Sequence, residues 1–395
     1  MQGKIHPIGP FLGINTRLPS TRLMVNEGSR HVGDFLRDAV NVDLTDSSTA
    51  MRRQGYSKVL NAPTRCLHPL PDGKALAVQG TSLMLLSETA SGLTAVLVSN
   101  GLSRTNHVSF STDGAQTYLT DGVGLWCCDG TQVYRYTVTV PQSAPTPRVS
   151  TGGVLPAGLY QMAFSHVAQD GRESAMTPTV TVQVPDKGVI SISSTAAPLP
   201  LGVVDLVVYM TECNGDVLYR VGALLPGETL TLTSVSYLEM SPTRHLEAMP
   251  PGCILRHYLG RMLVADGPIL YISQPYAYAL YDPVEGFMQF SADIDVIAPV
   301  KGGFYVCADK TYFVSGDFES VNEVLPYGAV FASDVSLPDS AGQAWYSHRG
   351  LVIGDNIGQV QNKQEGVISV PPSSKAALLY RDERGIRQLL AVLPA

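Results

Sequence analysis

The sequence predicts an all-β protein of the β-propeller class, with about six blades, an inserted β-sandwich and an extended N-terminal arm. Three observations predict it. A strand–turn–strand phrase recurs at Lys74 to Leu86, Gln116 to Trp126, Arg261 to Ile272, Gly303 to Val314 and Gly350 to Val360. Each phrase is two apolar runs joined by a tight turn of Gly, Asp or Asn, too small to bury its own apolar face, so several must stack. The chain carries 37 Gly and 27 Pro without collagen-like periodicity, as many short strands and turns require. No segment has the period of a long helix.

Read in order, residues 1–37 form the arm. Gly3, Pro7, Gly9, Pro10, Gly13 and Pro19 interrupt single hydrophobes, and neither a helical nor a strand period holds. Such a segment is disordered or takes its order from a neighbour, so deleting residues 1–30 should leave the monomer's melting nearly unchanged while abolishing assembly. Ile14, Arg17 and Leu23 are its candidate assembly contacts. Residues 38–140 hold the first blades, beginning with a strand from Ala39 to Leu44, a turn from Thr45 to Ser48 and a strand from Ala50 to Leu60. Pro141 to Pro147 is a linker.

Residues 141–249 then read as the sandwich, with about seven short strands in roughly ninety residues. A hairpin with an Asp170-Gly171 turn opens it, and the runs at Thr179 to Val184, Val203 to Met210 and Thr229 to Thr233 continue it. The order Gly158-x-Tyr160 then Asp170-Gly171-x-Glu173-Ser174 resembles fibronectin type III modules, which implies a spacer or interaction module. Pro250-Pro251 marks the return to blades, which run over residues 250–395. The runs Ala376 to Tyr380 and Gln388 to Leu393 are expected to complete a blade with the strands near residues 38–60 and close the ring.

Bulk composition bounds the chemistry. The 395 residues are 45% hydrophobic and 15% charged, enough for a large core with modest surface charge. A net charge of −7 argues against a free-standing nucleic-acid binder. The six cysteines are scattered, with no Cys-x-x-Cys and no histidine cluster at zinc spacing, so neither a metal site nor a cofactor is expected. They read as reduced, mostly buried side chains, in keeping with folding in a reducing cytosol. No signal peptide and no membrane-spanning run is visible.

Candidate sites are few. Arg52 and Arg53 lie on one strand and face opposite ways, and with Lys58 and Arg65 nearby they form a candidate channel or interface patch; a solvated strand end is the plainer alternative. Tyr271, Tyr276, Tyr278 and Tyr281 are a candidate partner surface, since loop tyrosines make rigid contacts, or else they pack beneath the blade loops. Ser111 to Tyr118 invites comparison with the Asp-box turn of sialidase-like propellers, but Gly114 falls one place early, which favours a plain Asp-Gly hairpin. Asp282, Glu285, Asp293 and Asp295 are the acids a glycan-cleaving propeller would use, two of them roughly 5 Å apart in a retaining enzyme. No nucleophile has a nearby base, so no catalytic residue is expected.

The passage Gly13-Ile-Asn-Thr-Arg17, then Arg37-Asp-Ala-Val-Asn-Val-Asp-Leu44, then Met51-Arg-Arg-Gln-Gly-Tyr56 carries a further likeness, extended by Leu255 to Pro275, Asp282-Pro283 and Phe287-x-x-Phe290. It resembles the tail nozzle, or hub, proteins of short-tailed bacteriophages, also called packaged-DNA stabilisation proteins. The resemblance covers most of the chain once the sandwich is treated as an insertion. It implies a propeller-based subunit of a homo-oligomeric ring, usually a hexamer, below the portal and adaptor. Such a ring continues the double-stranded DNA channel, retains packaged DNA and offers a docking surface to tail fibres or a needle. It implies a virion tail component made in the host cytoplasm and released by lysis. The chain departs in having no large fibre-docking insertion beyond residues 145–245. A net negative channel wall suits this role, because DNA slides past it instead of being held by phosphate contacts. The rivals are a receptor-binding or fibre-attachment tail-tip protein and a glycan-cleaving propeller.

Overall fold

The computed structural model describes residues 10–44, 48–53, 55, 57–90, 92–130, 132–234, 239–369, 373–383 and 386–393. The first nine residues of the predicted arm, most of the Thr45 to Ser48 turn, and Gln54 and Tyr56 lie outside the described residues. The fold is all-β. Two single 3-10 turns, Ser20–Arg22 and Pro338–Ser340, are its helical parts among the described residues.

Five antiparallel sheets are propeller blades. Blade 1 runs through Arg65–Pro69, Ala75–Gln79, Ser82–Thr89 and Gly92–Asn100 in that spatial order. Blade 2 comprises Ser109–Asp113, Gln116–Thr120, Leu125–Cys128 and Val133–Arg135. Blade 3 is built on Ile254–Tyr258, Arg261–Asp266 and Ile269–Gln274; its third strand pairs with Phe287–Gln289 along one half and with Ala277–Tyr281 along the other. Blade 4 comprises Val296–Val300, Gly303–Cys307, Thr311–Ser315 and Val321–Leu325, and blade 5 Val335–Ser336, Gln343–Ser347, Gly350–Gly354 and Val360–Asn362. The recurring sequence phrase is the central hairpin of blades 1 to 4 and the third and fourth strands of blade 5. Short turns set each register: Asp266 pairs with Ile269 across Gly267-Pro268, and Ser347 pairs with Gly350 across His348-Arg349.

Outside the sandwich, five sheets have four or more strands among the described residues, and two further hairpins, from the segments expected to close the ring, stand as separate pairs, Val42–Leu44 with Ala50–Arg52 and Ala377–Glu383 with Ile386–Val392. Side chains join these two hairpins, as described below.

The described part of the arm is ordered, as a mixed sheet in which Arg30–Leu36 is central, parallel to Phe11–Ile14 and antiparallel to Met24–Glu27. Periodicity does not reveal it because the central strand is polar (Arg30, His31 and Asp34) and its parallel partner lies some twenty residues away. Gly33 permits the close approach: a Cβ there would stand 2.5 Å from the Pro10 carbonyl oxygen and 2.8 Å from Leu12 Cγ. The segment rests on the chain's own C-terminal part, since the Thr16 amide donates to the Val367 carbonyl at 3.1 Å and the Ser369 amide to Thr16 Oγ1 at 2.8 Å. Deleting residues 1–30 removes a strand-paired layer and both of these bonds, so an unchanged melting profile is no longer the expectation.

Two compact units hold these elements, one of residues 1–80, 84–96 and 290–395, the other of residues 81–83 and 97–289. In the second unit, seven strands between Arg148 and Leu232 make a three-plus-four sandwich. Its larger sheet has Gly158–Ala168 and Val203–Met210 at its centre, in a register that sets Met162 opposite Met210 and Phe164 opposite Val208. Alternate residues of these strands point into one core: Tyr160, Met162, Phe164, Val208 and Met210 meet Ile190, Ile192 and Leu232 of the facing sheet. The intervening Ala163, Val207 and Tyr209 bury the opposite face with Leu218. Each fully buried large side chain contributes roughly 1.5–3 kcal/mol, so this module is well supported from both sides.

In the first unit, Trp345 and Tyr305 join blades 4 and 5, with ring centroids 5.1 Å apart. The Tyr305 hydroxyl donates to the carbonyls of Asp355 at 2.9 Å and Gln359 at 3.1 Å. Gly354 makes room for that ring, since a Cβ would sit 2.6 Å from it.

Candidate functional site

The residues of the N-terminal likeness come together as a clasp. Asn15 accepts through Oδ1 from the amides of Arg17 at 3.1 Å and Leu18 at 2.9 Å, closing a tight turn. Arg37 reaches back across that turn and donates to the carbonyls of Thr16 at 2.8 Å and Leu18 at 2.7 Å. Asn41 adopts φ +57, and its carbonyl accepts from the Arg53 amide at 2.8 Å. Asp43, only 4% exposed, receives Arg53 Nε at 2.9 Å and lies 3.6 Å from Arg381 Nη2. Gln388 also bonds to Asp43, and Arg381 donates to Gln388 Oε1 at 2.9 Å. Asp43 therefore ties the first hairpin to both strands of the last. Burial works against its charge, but the bonds from Arg53 and Gln388 and the charges of Arg53 and Arg381 prevail and hold its carboxyl below the ordinary value.

This geometry relocates several predicted residues. Arg53, proposed for a channel or interface, is held by a buried carboxylate. Arg52 and Lys58 are exposed. Arg65 donates to the Gly80 carbonyl at 3.3 Å. Ile14, in its strand, and Leu23, just before the next one, are half-buried, the Leu23 carbonyl accepting from the Phe35 amide at 2.8 Å. Arg17 is exposed, at the rim of a cleft.

The four tyrosines do not share a surface. Tyr278 is 3% exposed, which removes it from the partner-surface set. It lies in the middle of the strand Ala277–Tyr281, where Tyr278, Ala279 and Leu280 are all buried. Its hydroxyl donates to Asp113 Oδ2 at 2.6 Å and lies 3.1 Å from His257 Nε2. Tyr271 and Tyr281 stack edge to face at 5.0 Å, the Tyr281 hydroxyl donating to Glu247 at 2.9 Å; burial, with that bond, pushes the phenol up to about 12. Tyr276 alone of the four is strongly exposed, at 83%, with φ +57.

Sequence reasoning missed the ring cluster that Tyr278 joins. Tyr118 packs edge-on against Tyr136 at 4.8 Å and Tyr278 at 5.2 Å. Arg172, from the sandwich turn, stacks over Tyr136 at 4.5 Å and Tyr134 at 5.4 Å, donates to the Tyr136 carbonyl, and pairs with Asp170 at 2.7 Å. One arginine thus staples the sandwich to blade 2. The signal, three tyrosines over Tyr118 to Tyr136 and one arginine in an Asp-Gly turn, is visible only once their long-range pairing is known.

The acids considered for glycan cleavage have local work. Asp282 Oδ1 accepts from the Val284 amide at 2.8 Å within a turn. Asp113 sits at the end of a plain hairpin, paired with Gln116, with Gly114 at φ +58. Asp295 is half-buried, and burial with the neighbouring Asp293 charge pushes its carboxyl up to about 6. Its folded value lies above the unfolded 3.8, so its charge destabilises the fold increasingly as pH rises through about 4 to 6, above which the cost is constant. Asp295→Asn is expected to raise the melting temperature relative to wild type at pH 8 and to lose that advantage by pH 3.5; equal differences at both pH values would contradict this assignment.

Among the described residues, no group of three His, Cys, Asp or Glu side chains is placed to hold a metal ion. Cys127, Cys128 and Cys307 are buried, and burial pushes the Cys127 thiol up to about 11. No described helix is long and apolar enough to cross a membrane.

No family model matches the chain, and no curated protein matches it. Similar solved structures include the WD40 domain of Neurospora crassa Pan2, 11% identical with a TM-score of 0.34, covering 79% of this chain and 83% of that one. BBS1N, solved in complex with ARL6DN, is 12% identical with a TM-score of 0.34 and coverages of 85% and 91%. Apo AztD from Citrobacter koseri is 11% identical with a TM-score of 0.29 and coverages of 82% and 88%. None of these similarities is close enough to carry a reading of what this chain does.

Proposed function

We propose that this chain is a structural subunit of a bacteriophage tail, a ring-forming nozzle or hub that continues the DNA channel below portal and adaptor. In this reading it retains packaged DNA, offers docking surface to fibres or a needle, resides in the virion tail after synthesis in the host cytoplasm, and performs no covalent chemistry. One observation carries it. Of the residues of the family likeness, Asn15 and Arg37 fix the turn after the first strand, and Asp43, held by Arg53, fastens the first hairpin to the last. A chain whose early and late strands are locked through a buried charge resists being pulled open at that seam, as a part that carries load under DNA pressure must. The blades and sandwich supply rigid surfaces, and the ring number, a hexamer, follows the family likeness.

Exposed Tyr276 supports a receptor-binding tail-tip role as the second reading. Mixing the purified chain with portal–adaptor complex separates the readings. Rings seen by electron microscopy are expected. Host-cell binding without assembly would favour the tail-tip reading, and glycan hydrolysis abolished by Asp282→Ala or Asp293→Ala would replace both with an enzyme.

A further inference from the structure

We infer that the cleft between Arg17 and the His348-Arg349 hairpin tip is a carboxylate-binding site. It has a volume of about 320 Å³ and is lined by Arg17, His348, Arg349, Glu365, Ile368 and Ser369. Its walls are pre-organised. His348 and Arg349 are the two loop residues of a tight hairpin, whose Ser347 hydroxyl donates to the Gly350 carbonyl at 2.8 Å and accepts from the Arg349 amide at 3.2 Å. The Arg349 guanidinium lies over the Tyr327 ring at 4.6 Å and pairs with Glu365 at 3.3 Å. His348 packs edge-on to the same ring at 5.5 Å. Glu365 is held in turn, its amide donating to Asn362 Oδ1 at 3.0 Å. Across the cleft, Arg17 is carried on the turn that Asn15 and Arg37 fix, and that turn is bonded to Ser369 through Thr16.

Charge decides the ligand. Two guanidiniums and one carboxylate leave one net positive charge among the cleft's arginines and glutamate, which matches a monoanion. A guanidinium fork is shaped for a planar carboxylate. A duplex backbone needs several cations along one groove, and Glu365 would repel it. Arg349 is already engaged with Glu365 and Tyr327, so Arg17 is the arm that closes on an incoming carboxylate. This inference is independent of the tail-subunit reading, because it concerns the isolated chain.

Calorimetric titration of the purified full chain with acetyl-Gly-Glu-Gly-amide, its Gln counterpart, acetate and inorganic phosphate tests it. The Glu peptide is expected to bind at least ten-fold more tightly than the Gln peptide. Arg17→Gln, at an exposed position, is expected to remove at least ten-fold of that affinity with an unchanged melting temperature. Acetate binding as tightly as the Glu peptide, with the same loss in Arg17→Gln, would support the site and assign it to free carboxylates. No binding at 10 mM, equal binding of the two peptides without acetate binding, affinity retained by Arg17→Gln, or phosphate bound more tightly than either carboxylate would overturn it.

Discussion

Asp43→Ala is expected to cost about 3 kcal/mol of folding stability at pH 7, because removing one member of a buried ionic group strands its partners. Arg53 would lose its 2.9 Å acceptor and Arg381 its counter-charge at 3.6 Å. Both arginines keep some solvent, at 44% and 32% side-chain exposure, which keeps the loss at the lower end of the range for buried pairs. Asp43→Asn retains hydrogen bonding but not charge and should lose about half as much. The sign of the pH dependence follows from the lowered carboxyl value. The contribution is fully present above the unfolded value of 3.8 and is lost as pH falls through the lower folded value. Urea unfolding of wild type and both variants at pH 7 and pH 2.5 measures this. A loss below 0.5 kcal/mol at pH 7, or one that persists at pH 2.5, would show that the clasp is not held by this charge.

Arg172→Ala is expected to cost about 2 kcal/mol through two ring faces, a carbonyl bond and an ion pair lost together. The larger effect is on how the sandwich is held. Blade 2 ends at Arg135, the strands of the sandwich begin at Arg148, and the Pro141 to Pro147 linker lies between them. With the staple gone, cleavage in that linker by a low level of protease should speed up several-fold. Arg172→Lys should rescue little, because an ammonium lacks the planar fork that stacks on Tyr136 while bonding its carbonyl. A lysine variant with wild-type melting and cleavage would contradict the assignment.

Blade hairpins were legible in the sequence because their signal is local. An apolar run, a Gly or Asp turn and a second apolar run describe Ala75 to Thr89 or Gly303 to Ser315 completely. The sandwich was legible for the same reason, its strands being long and alternating from Gly158 to Ala168 and Val203 to Met210. What escaped was long-range or polar. The parallel pairing of Phe11–Ile14 with Arg30–Leu36 has no local period. The contact of Asp43 with Arg381 spans nearly the whole chain, and neither residue stands out among 34 acids and 27 basic residues. For Tyr278 the sequence left a partner surface and packing beneath the blade loops both open, because a tyrosine satisfies a partner face and a buried bond to Asp113 equally well. Strand alternation and nearby charge suggested Arg53 for a channel or interface patch, and its bond to the buried Asp43 depends on a backbone arrangement that no local pattern shows.

Hydrogen–deuterium exchange of wild type and Asp43→Ala, followed peptide by peptide, tests most directly that the two ends of the chain are locked to each other. The clasp predicts that amides of residues 42–53 and of residues 377–392 lose protection together in the variant, while blades 2 and 3 are unaffected. Unchanged protection of residues 377–392 would contradict it.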